Sequence, residues 1–205
     1  MTMDKIKAPS VEPRIYAGMG ETAQLVAKLN RSSSQHGVLF SIEDLLGNGK
    51  PTFVMSGGEH LRKRVSEIAK SGDDLLQINR MLAAEVAGVQ AIEPRTKYKD
   101  QEHCFQWMCR TLYGRVDSTL DADSLNFNLI GQPEIGAAVA YFKANSQGCA
   151  ERTHFGVVVD VEKQVVVDSK WGNGHVYRHL LPLVPNSYGN ALYFLKVVGA
   201  TVEAD

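Results

Sequence analysis

The sequence predicts an α+β fold in which helices come first and an antiparallel sheet follows. Between residues 58 and 88 apolar side chains recur at helical spacing, with one interruption at SGDD. Beyond residue 134, short β-rich runs such as HFGVVVDV and QVVVDS are bounded by Gly, Asn or Pro. A change of composition at EPRTKYKD separates the two patterns and places a domain boundary near residue 95.

The residues before this boundary are predicted to form a polar arm and a helical extension. Residues 1–13 are polar and contain two prolines, which favours a loose arm. Residues 14–94 form a helical N-terminal extension, where ETAQLVAKLNR indicates an amphipathic helix and SIEDLLGNGK a helical turn capped by Ser41. Because the extension carries no nucleophile, base or metal motif, we expect it to serve in recognition or shielding.

Residues 95–205 are predicted to form one domain built on the sheet. EHCFQWMCRTLYG indicates a helix with Asp100 or Gln101 near its start and Gly114 at its end. IGAAVAYFK, HFGVVVDV, QVVVDS and ALYFLKVV supply the strands.

The composition excludes several classes of partner. The chain has 205 residues, of which 44% are hydrophobic, enough to bury a core. Its net charge is −1 and its pI is near 6.6, so no overall field attracts nucleic acid or an anionic membrane surface. No apolar run approaches the roughly 20 residues that a membrane-spanning helix needs. Neither nucleic acid nor a membrane is therefore a predicted partner.

Cysteine usage and the start of the chain bear on the compartment. The three cysteines, Cys104, Cys109 and Cys149, do not make a disulfide framework and suit a reducing compartment. The start, MTMDKIKAPSVEP, lacks the apolar segment of a cleavable signal peptide. We therefore expect the protein to be made in the cytoplasm, and any secretion or injection would use a route without such a signal.

Cys104 is the candidate nucleophile. It lies in the first turn of its predicted helix, where unpaired backbone N–H groups and the helix dipole stabilise a thiolate. The alternative is that Cys104 fills the core, since free cysteine is among the most buried residue types. Cys109 lies five positions later and is expected to pack against the sheet. Cys149 lies in a predicted loop without a helix dipole, which makes it a weaker candidate.

His154 and Asp168 are the candidate partners of Cys104. They lie at matching ends of two apolar runs that read as a hairpin, THFGVVVDVEKQVVVDS. The predicted pairing places the Asp168 carboxylate opposite His154, where it could orient the imidazole as a general base. A lone histidine before a strand or a lone aspartate after one is more often structural. The combination with Cys104 favours a Cys-His-Asp triad.

Metal and phosphate sites find little support in the sequence. His175 and His179, with Cys149, could bind zinc, but HVYRH has ligand spacing only if it is helical. GNGK is too short for a phosphate-binding loop, because the surrounding frame of that motif is absent. The prediction is that the protein uses no metal and no cofactor.

The same residues resemble a known family. HCFQWMCRTLY, PEIGAAVAYF, THFGVVV and VVVDS follow one another in the order of the motifs of NlpC-like amidases, a branch of the papain-like cysteine hydrolases. The tail DSKWGNGHVYRHLLPLVPNSYG is similar to papain-fold domains of bacterial toxins. The resemblance runs from about residue 100 to the C-terminus. It departs from the family at His103, which replaces an acidic residue, and at Asp168, where many relatives carry His, Asn or Ser.

The resemblance implies a papain-like catalytic domain over residues 95–205, with the Cys104 helix packed on the sheet. It implies a thiol-dependent hydrolase of amide bonds, with Cys104, His154 and Asp168 as catalytic residues. The predicted substrate-binding residues are Trp107, Ser169, Lys170 and Trp171.

Three functional hypotheses follow from this resemblance. The first is a peptidase or amidase acting on a peptide or protein. The second is a toxin or injected effector that deamidates a glutamine or asparagine of a host or rival protein, with a cognate immunity protein as a further partner. The third is a non-catalytic binding or immunity module that keeps the fold.

Overall fold

The computed structural model describes residues 19–43, 52–72, 74–94, 103–114, 127–144, 150–172 and 174–197. Its helices are α1 (Met19–Ser33), α2 (Glu59–Ala69), α3 (Leu75–Glu85) and α4 (Cys104–Tyr113). Its strands are β1 (Val38–Glu43), β2 (Thr52–Gly57), β3 (Val89–Glu93), β4 (Phe127–Ile130), β5 (Ala138–Ala144), β6 (Ala150–Asp160), β7 (Val166–Lys170), β8 (Val176–Leu180) and β9 (Ala191–Val197).

The nine strands form one antiparallel sheet, which confirms the α+β class. The strand order is β1-β2-β9-β5-β6-β7-β8-β3, and β4 pairs with β9 beside β2. The predicted helices α1 to α4 are confirmed, and so are the strands β5, β6, β7 and β9. The strands β4 and β8 were not predicted from the sequence.

The prediction that the chain before residue 95 is mainly helical is wrong in three places. This part contributes β1, β2 and β3 to the sheet, and Ser41 lies within β1 rather than at the start of a helical turn. These strands are five or six residues long, so their local pattern is weak. β2 and β3 are stabilised by distant partners, because β2 pairs with β9 and β3 pairs with β8.

Helices cover both faces of the sheet. Leu25 and Leu29 of α1 pack with Val158 of β6, and Ile78 and Leu82 of α3 pack with Tyr177 of β8. On the opposite face, α4 buries apolar side chains against β5, β6 and β9. Because side chains alternate along each strand, the residues packed under α1 and α3 lie on one side of the sheet and the residues packed under α4 lie on the other. The first three helices therefore cover one face, and α4 covers the other.

The shared sheet bears on the predicted boundary near residue 95. Strands from before that boundary form both edges of the sheet, since β2 pairs with β9 and carries β1 on its outer side, while β3 pairs with β8. A fragment beginning at Arg95 would leave one side of β8 and β9 without these partners. The division into two folding units stays a prediction. The predicted arm, residues 1–13, lies outside the described residues.

Among the described residues, none of the helices combines the length and apolar character that crossing a membrane requires.

Candidate active site around Cys104 and His154

The start of α4 places Cys104 at the first helical position. His103 precedes it in an extended conformation, and the His103 backbone N–H donates to Gln106 Oε1 at 3.1 Å. The carbonyl of His103 accepts the first helical hydrogen bond from the N–H of Trp107 at 2.9 Å. These bonds mark His103 as the N-cap of α4. As at any helix start, the N–H groups of the first turn have no partners within the helix, and here they lie beside the thiol.

The Cys104 thiol lies half-buried where backbone N–H groups converge on it. Burial raises its pKa, and this effect outweighs the hydrogen bonds from the N–H groups of Phe155, Phe105 and Cys104 itself, which lower it. The resting group is therefore a protonated thiol. A negative charge that developed there would be met by three fixed backbone dipoles.

The N–H group of Phe155 reaches Cys104 just before the residue pairs between β6 and β7 begin. Their paired residues run from Val157 opposite Asp168 to Asp160 opposite Val166. On the other side of β6, Thr153 is an extra residue between two successive pairs with β5, which makes a β-bulge. Bulges bend a strand and redirect the next side chains, and they are common beside active sites. The bulge directly precedes His154.

His154 is buried in an aromatic setting on the face covered by α1 to α3. Its ring stacks on that of Tyr188 at 3.9 Å between centroids and 6° between planes, with Tyr141 on its other flank at 5.9 Å. Neither of its ring nitrogens has a hydrogen-bond partner among the described residues. Burial, with a smaller contribution from the charge of His179, holds its pKa well below the usual range. His154 is a neutral imidazole with two unused nitrogens.

The structure does not bring Asp168 to His154, so the predicted contact is wrong. Asp168 pairs with Val157, three residues beyond His154. Its two carboxylate oxygens each accept a hydrogen bond of 2.8 Å from the guanidinium of Arg178. Val157 belongs to the cluster under α4, so Asp168 lies on the opposite face of the sheet from His154. The carboxylate is therefore occupied elsewhere and does not orient the imidazole.

A second histidine lies buried in a complete hydrogen-bond network. His179 Nδ1 is 2.9 Å from the carbonyl of Leu180, so this nitrogen carries the proton and donates. His179 Nε2 then accepts from the hydroxyl of Ser169 at 2.9 Å, while Ser169 Oγ accepts from Trp171 Nε1 at 2.8 Å. The sequence analysis considered His179 only as a zinc ligand. No local signal points to this network, because it joins β7 to β8.

The four predicted substrate-binding residues have different surroundings. Trp107 is 3% exposed in the core beneath α4, and Ser169 is fully buried in the network just described. Lys170 is 4% exposed, and its ammonium donates to the carbonyl of Gly174 at 3.3 Å. Trp171 borders a cleft of about 410 Å³ between α2 and the loop after β8. Only Trp171, of the four, lines this cleft.

Tyr188 connects the cleft to His154. It lines the cleft with Trp171, and its hydroxyl accepts a hydrogen bond from the N–H of Gly172. Burial raises the pKa of Tyr188, and the nearby charge of Cys104 adds to this effect. Cys104 packs with the cluster under α4, so the thiol and the His154 ring lie on opposite faces of β6, although Phe155, whose N–H reaches the thiol, directly follows His154. Tyr188 lies in the tail that resembles papain-fold toxin domains, but no local signal in the sequence predicts a role for it.

The competing sites have weaker geometry. Cys109 is fully buried, and burial raises its pKa to about 11. Cys149 and GNGK lie outside the described residues. β8 is extended, so His175 and His179 do not have helical spacing. The described part of the chain contains no group of three or more His, Cys, Asp or Glu side chains placed to hold a metal ion.

Comparison with known proteins adds no assignment. No protein-family model matches the chain, and no curated protein or solved structure shows significant similarity to it.

Proposed function

We propose that the protein is a thiol-dependent hydrolase of amide bonds with a papain-like arrangement of its site. One observation carries the proposal. The Cys104 thiol lies at the first position of a helix, with backbone N–H groups of the first turn and of Phe155 around it. Phe155 directly follows His154, the proposed base, in β6.

In the proposed reaction Cys104 Sγ forms a bond to the carbonyl carbon as His154 takes the thiol proton. The N–H groups near Sγ hold the negative charge that develops on the carbonyl oxygen, and one such donor is worth about 3 kcal/mol in comparable sites. His154 returns the proton to the leaving nitrogen as the C–N bond breaks. Water then cleaves the thioester, with His154 taking a proton from it, and restores the thiol.

This chemistry requires His154 to change its surroundings. Its ring nitrogens make no hydrogen bond to Cys104 or to any other described residue. Because His154 lies on the face covered by α1 to α3 and Cys104 on the face covered by α4, the proposal includes a rearrangement of β6 at the Thr153 bulge that carries the imidazole to the thiol when substrate binds. A neutral histidine suits this task, because only the neutral form accepts a proton.

The proposed substrates are peptides or proteins. Hydrolysis of a peptide or cell-wall amide and deamidation of a glutamine or asparagine side chain use the same acyl-enzyme. The second reaction would suit a toxin or effector with a host or rival protein as its target and an immunity protein as its inhibitor. In either case the leaving nitrogen receives its proton from His154.

A binding module without catalysis is the second candidate function. The observation that favours it is the closed state of the site, with a protonated Cys104 and an imidazole stacked on Tyr188. A partner could be recognised through the cleft beside Trp171 without use of the thiol.

Thiol labelling tests the proposed site without knowledge of the substrate. Brief, substoichiometric iodoacetamide treatment followed by mass spectrometry should label Cys104 before Cys109 or Cys149. The labelling rate of Cys109 is the internal reference for a buried thiol. Labelling of Cys149 first would contradict the assignment of Cys104 as the nucleophile.

Incubation with casein distinguishes the candidate activities. Peptide fragments indicate a peptidase, and released ammonia without fragments indicates a deamidase. Both signals should disappear in Cys104→Ser and persist in Cys109→Ser, the matched control on the same helix. Failure of both casein and labelling assays would favour the binding module.

A further inference from the structure

Arg62 of α2 is a buried cation that donates hydrogen bonds to the loop between β8 and β9. It is 3% exposed, and burial lowers its pKa. Its Nε donates to the carbonyl of Val184 at 3.0 Å, and its Nη2 donates to the carbonyl of Gly189. In the described part of the chain it makes no ion pair with a carboxylate. A guanidinium buried against two carbonyls is costly compared with an apolar side chain of the same size, which calls for a specific reason.

The loop bound by Arg62 carries Tyr188 between its two attachment points. Other contacts hold the loop as well, because Thr153 Oγ1 donates to the carbonyl of Tyr188. Gly189 has φ +98°, and a Cβ there would lie 2.1 Å from the carbonyl oxygen of Phe142. The backbone next to Tyr188 therefore approaches β5 too closely for any residue except glycine. Arg62 supplies the side-chain hydrogen bonds from α2 to this loop, whose end also accepts a backbone hydrogen bond from Met55 at the carbonyl of Asn190.

We propose that Arg62 is a positioning residue for His154. By holding the carbonyls on both sides of Tyr188, it keeps the Tyr188 ring stacked on the imidazole and so sets the direction in which the imidazole nitrogens point. Its importance for catalysis rests on the proposed function, in which His154 is the base. The stacking geometry itself does not depend on that function. The inference gives α2 a specific task, which is to define one wall of the site.

NMR of the full-length protein labelled with ¹³C-histidine tests this proposal. The stacked Tyr188 ring should shift the His154 Cε1–H resonance upfield of that of the exposed His60. Comparison with the His154→Phe spectrum assigns the signal among the six histidines. Three variants are then compared. Arg62→Met removes the donors, Arg62→Lys keeps the charge and one donor group, and Arg64→Met is the control on the exposed face of the same helix.

The expected result is a downfield move of the His154 resonance in Arg62→Met, a partial return in Arg62→Lys and no change in Arg64→Met. An unchanged His154 resonance in a folded Arg62→Met protein would overturn the proposal. If Arg62→Met does not fold, Arg62→Lys decides, and a His154 resonance identical to that of the parent protein would overturn it. The NMR measurement does not depend on the Cys104 thiol. Loss of the proposed activity in the casein assay is therefore distinguishable from loss of the positioning effect.

Discussion

His154 and His179 lie buried on the same face of the sheet and differ in how their nitrogens are used. His179 donates to the carbonyl of Leu180 and accepts from Ser169, so both nitrogens are satisfied. His154 lies between Tyr188 and Tyr141, and neither nitrogen has a partner among the described residues. Burial depresses the pKa of both groups. Both imidazoles are therefore neutral, but only that of His179 makes hydrogen bonds to surrounding residues.

The comparison separates a structural histidine from a candidate functional one. Leaving a buried polar atom without a hydrogen bond costs about 1–3 kcal/mol, so an unused pair of nitrogens weakens the fold. The two satisfied nitrogens of His179 stabilise the fold, and the hydrogen bond to Ser169 joins β7 to β8. An arrangement that costs stability is typical of a site kept for function. His154 fits this description, and His179 does not.

A large effect on stability is expected when each histidine is replaced by phenylalanine. His179→Phe removes two hydrogen bonds and leaves the Ser169 hydroxyl without its acceptor, which should lower the free energy of unfolding by about 2–3 kcal/mol. His154→Phe keeps the stack on Tyr188 and removes two unsatisfied nitrogens. It should therefore leave stability unchanged or raise it by about 1 kcal/mol. Urea unfolding at pH 7 measures both values.

Because the two substitutions add the same volume, each is the control for the other. Equal losses of unfolding free energy in both variants would contradict the proposed difference between the two histidines.

An effect of comparable size is expected from pH. Burial, partly opposed by the bond to the Leu180 carbonyl, lowers the pKa of His179 to about 4 from 6.5. Between these values the unfolded chain binds a proton that the folded protein does not, so stability falls as pH falls. The loss from His179 is on the order of 3 kcal/mol once the pH is below 4. His154 adds a loss of the same sign, since its folded-state pKa is also lowered.

Unfolding in urea at a series of pH values between 7 and 4 measures this slope. Each His→Phe variant should show a shallower slope than the parent protein, and the double variant should show the shallowest. A parent protein with constant stability over this interval would contradict the buried, neutral state of both groups.

The smallest expected effect concerns Asp168. Its pair with Arg178 is bidentate, but the Arg178 side chain is half exposed, so each of Asp168→Ala and Arg178→Ala should cost only about 1 kcal/mol. Neither substitution should alter the His154 resonance or the labelling rate of Cys104. If Asp168→Ala changed either property while Arg178→Ala did not, an orienting role for Asp168 would be restored.

Much of the local structure could be predicted from the sequence. The helical spacing predicted α2 and α3, and the glycine at position 114 marked the end of α4, where φ is +76°. The β-rich runs predicted the strands around His154. These signals act within a few residues, through side-chain periodicity, capping and turn chemistry.

The errors in the predicted strands and in the predicted His154–Asp168 contact come from strand pairing over long distances in the chain. β1, β2 and β3 are short and depend on partners far away in the chain. The predicted pairing of His154 with Asp168 was wrong because the actual register places Val157 opposite Asp168. In a sheet, a shift by an odd number of residues moves a side chain to the other face. The bulge at Thr153 adds a further change that no periodic pattern reveals.

The sequence by itself determined that Cys104 begins a helix and that His154 lies in a β-strand, because capping and strand propensity are local properties. Only the tertiary structure decided which groups surround them. It placed the N–H of Phe155 on the thiol, the ring of Tyr188 on His154, and Arg62 on the loop that holds Tyr188. These contacts join residues up to 127 positions apart. They depend on strand order, register and the approach of a glycine to a neighbouring backbone, which follow from packing the whole chain around one sheet.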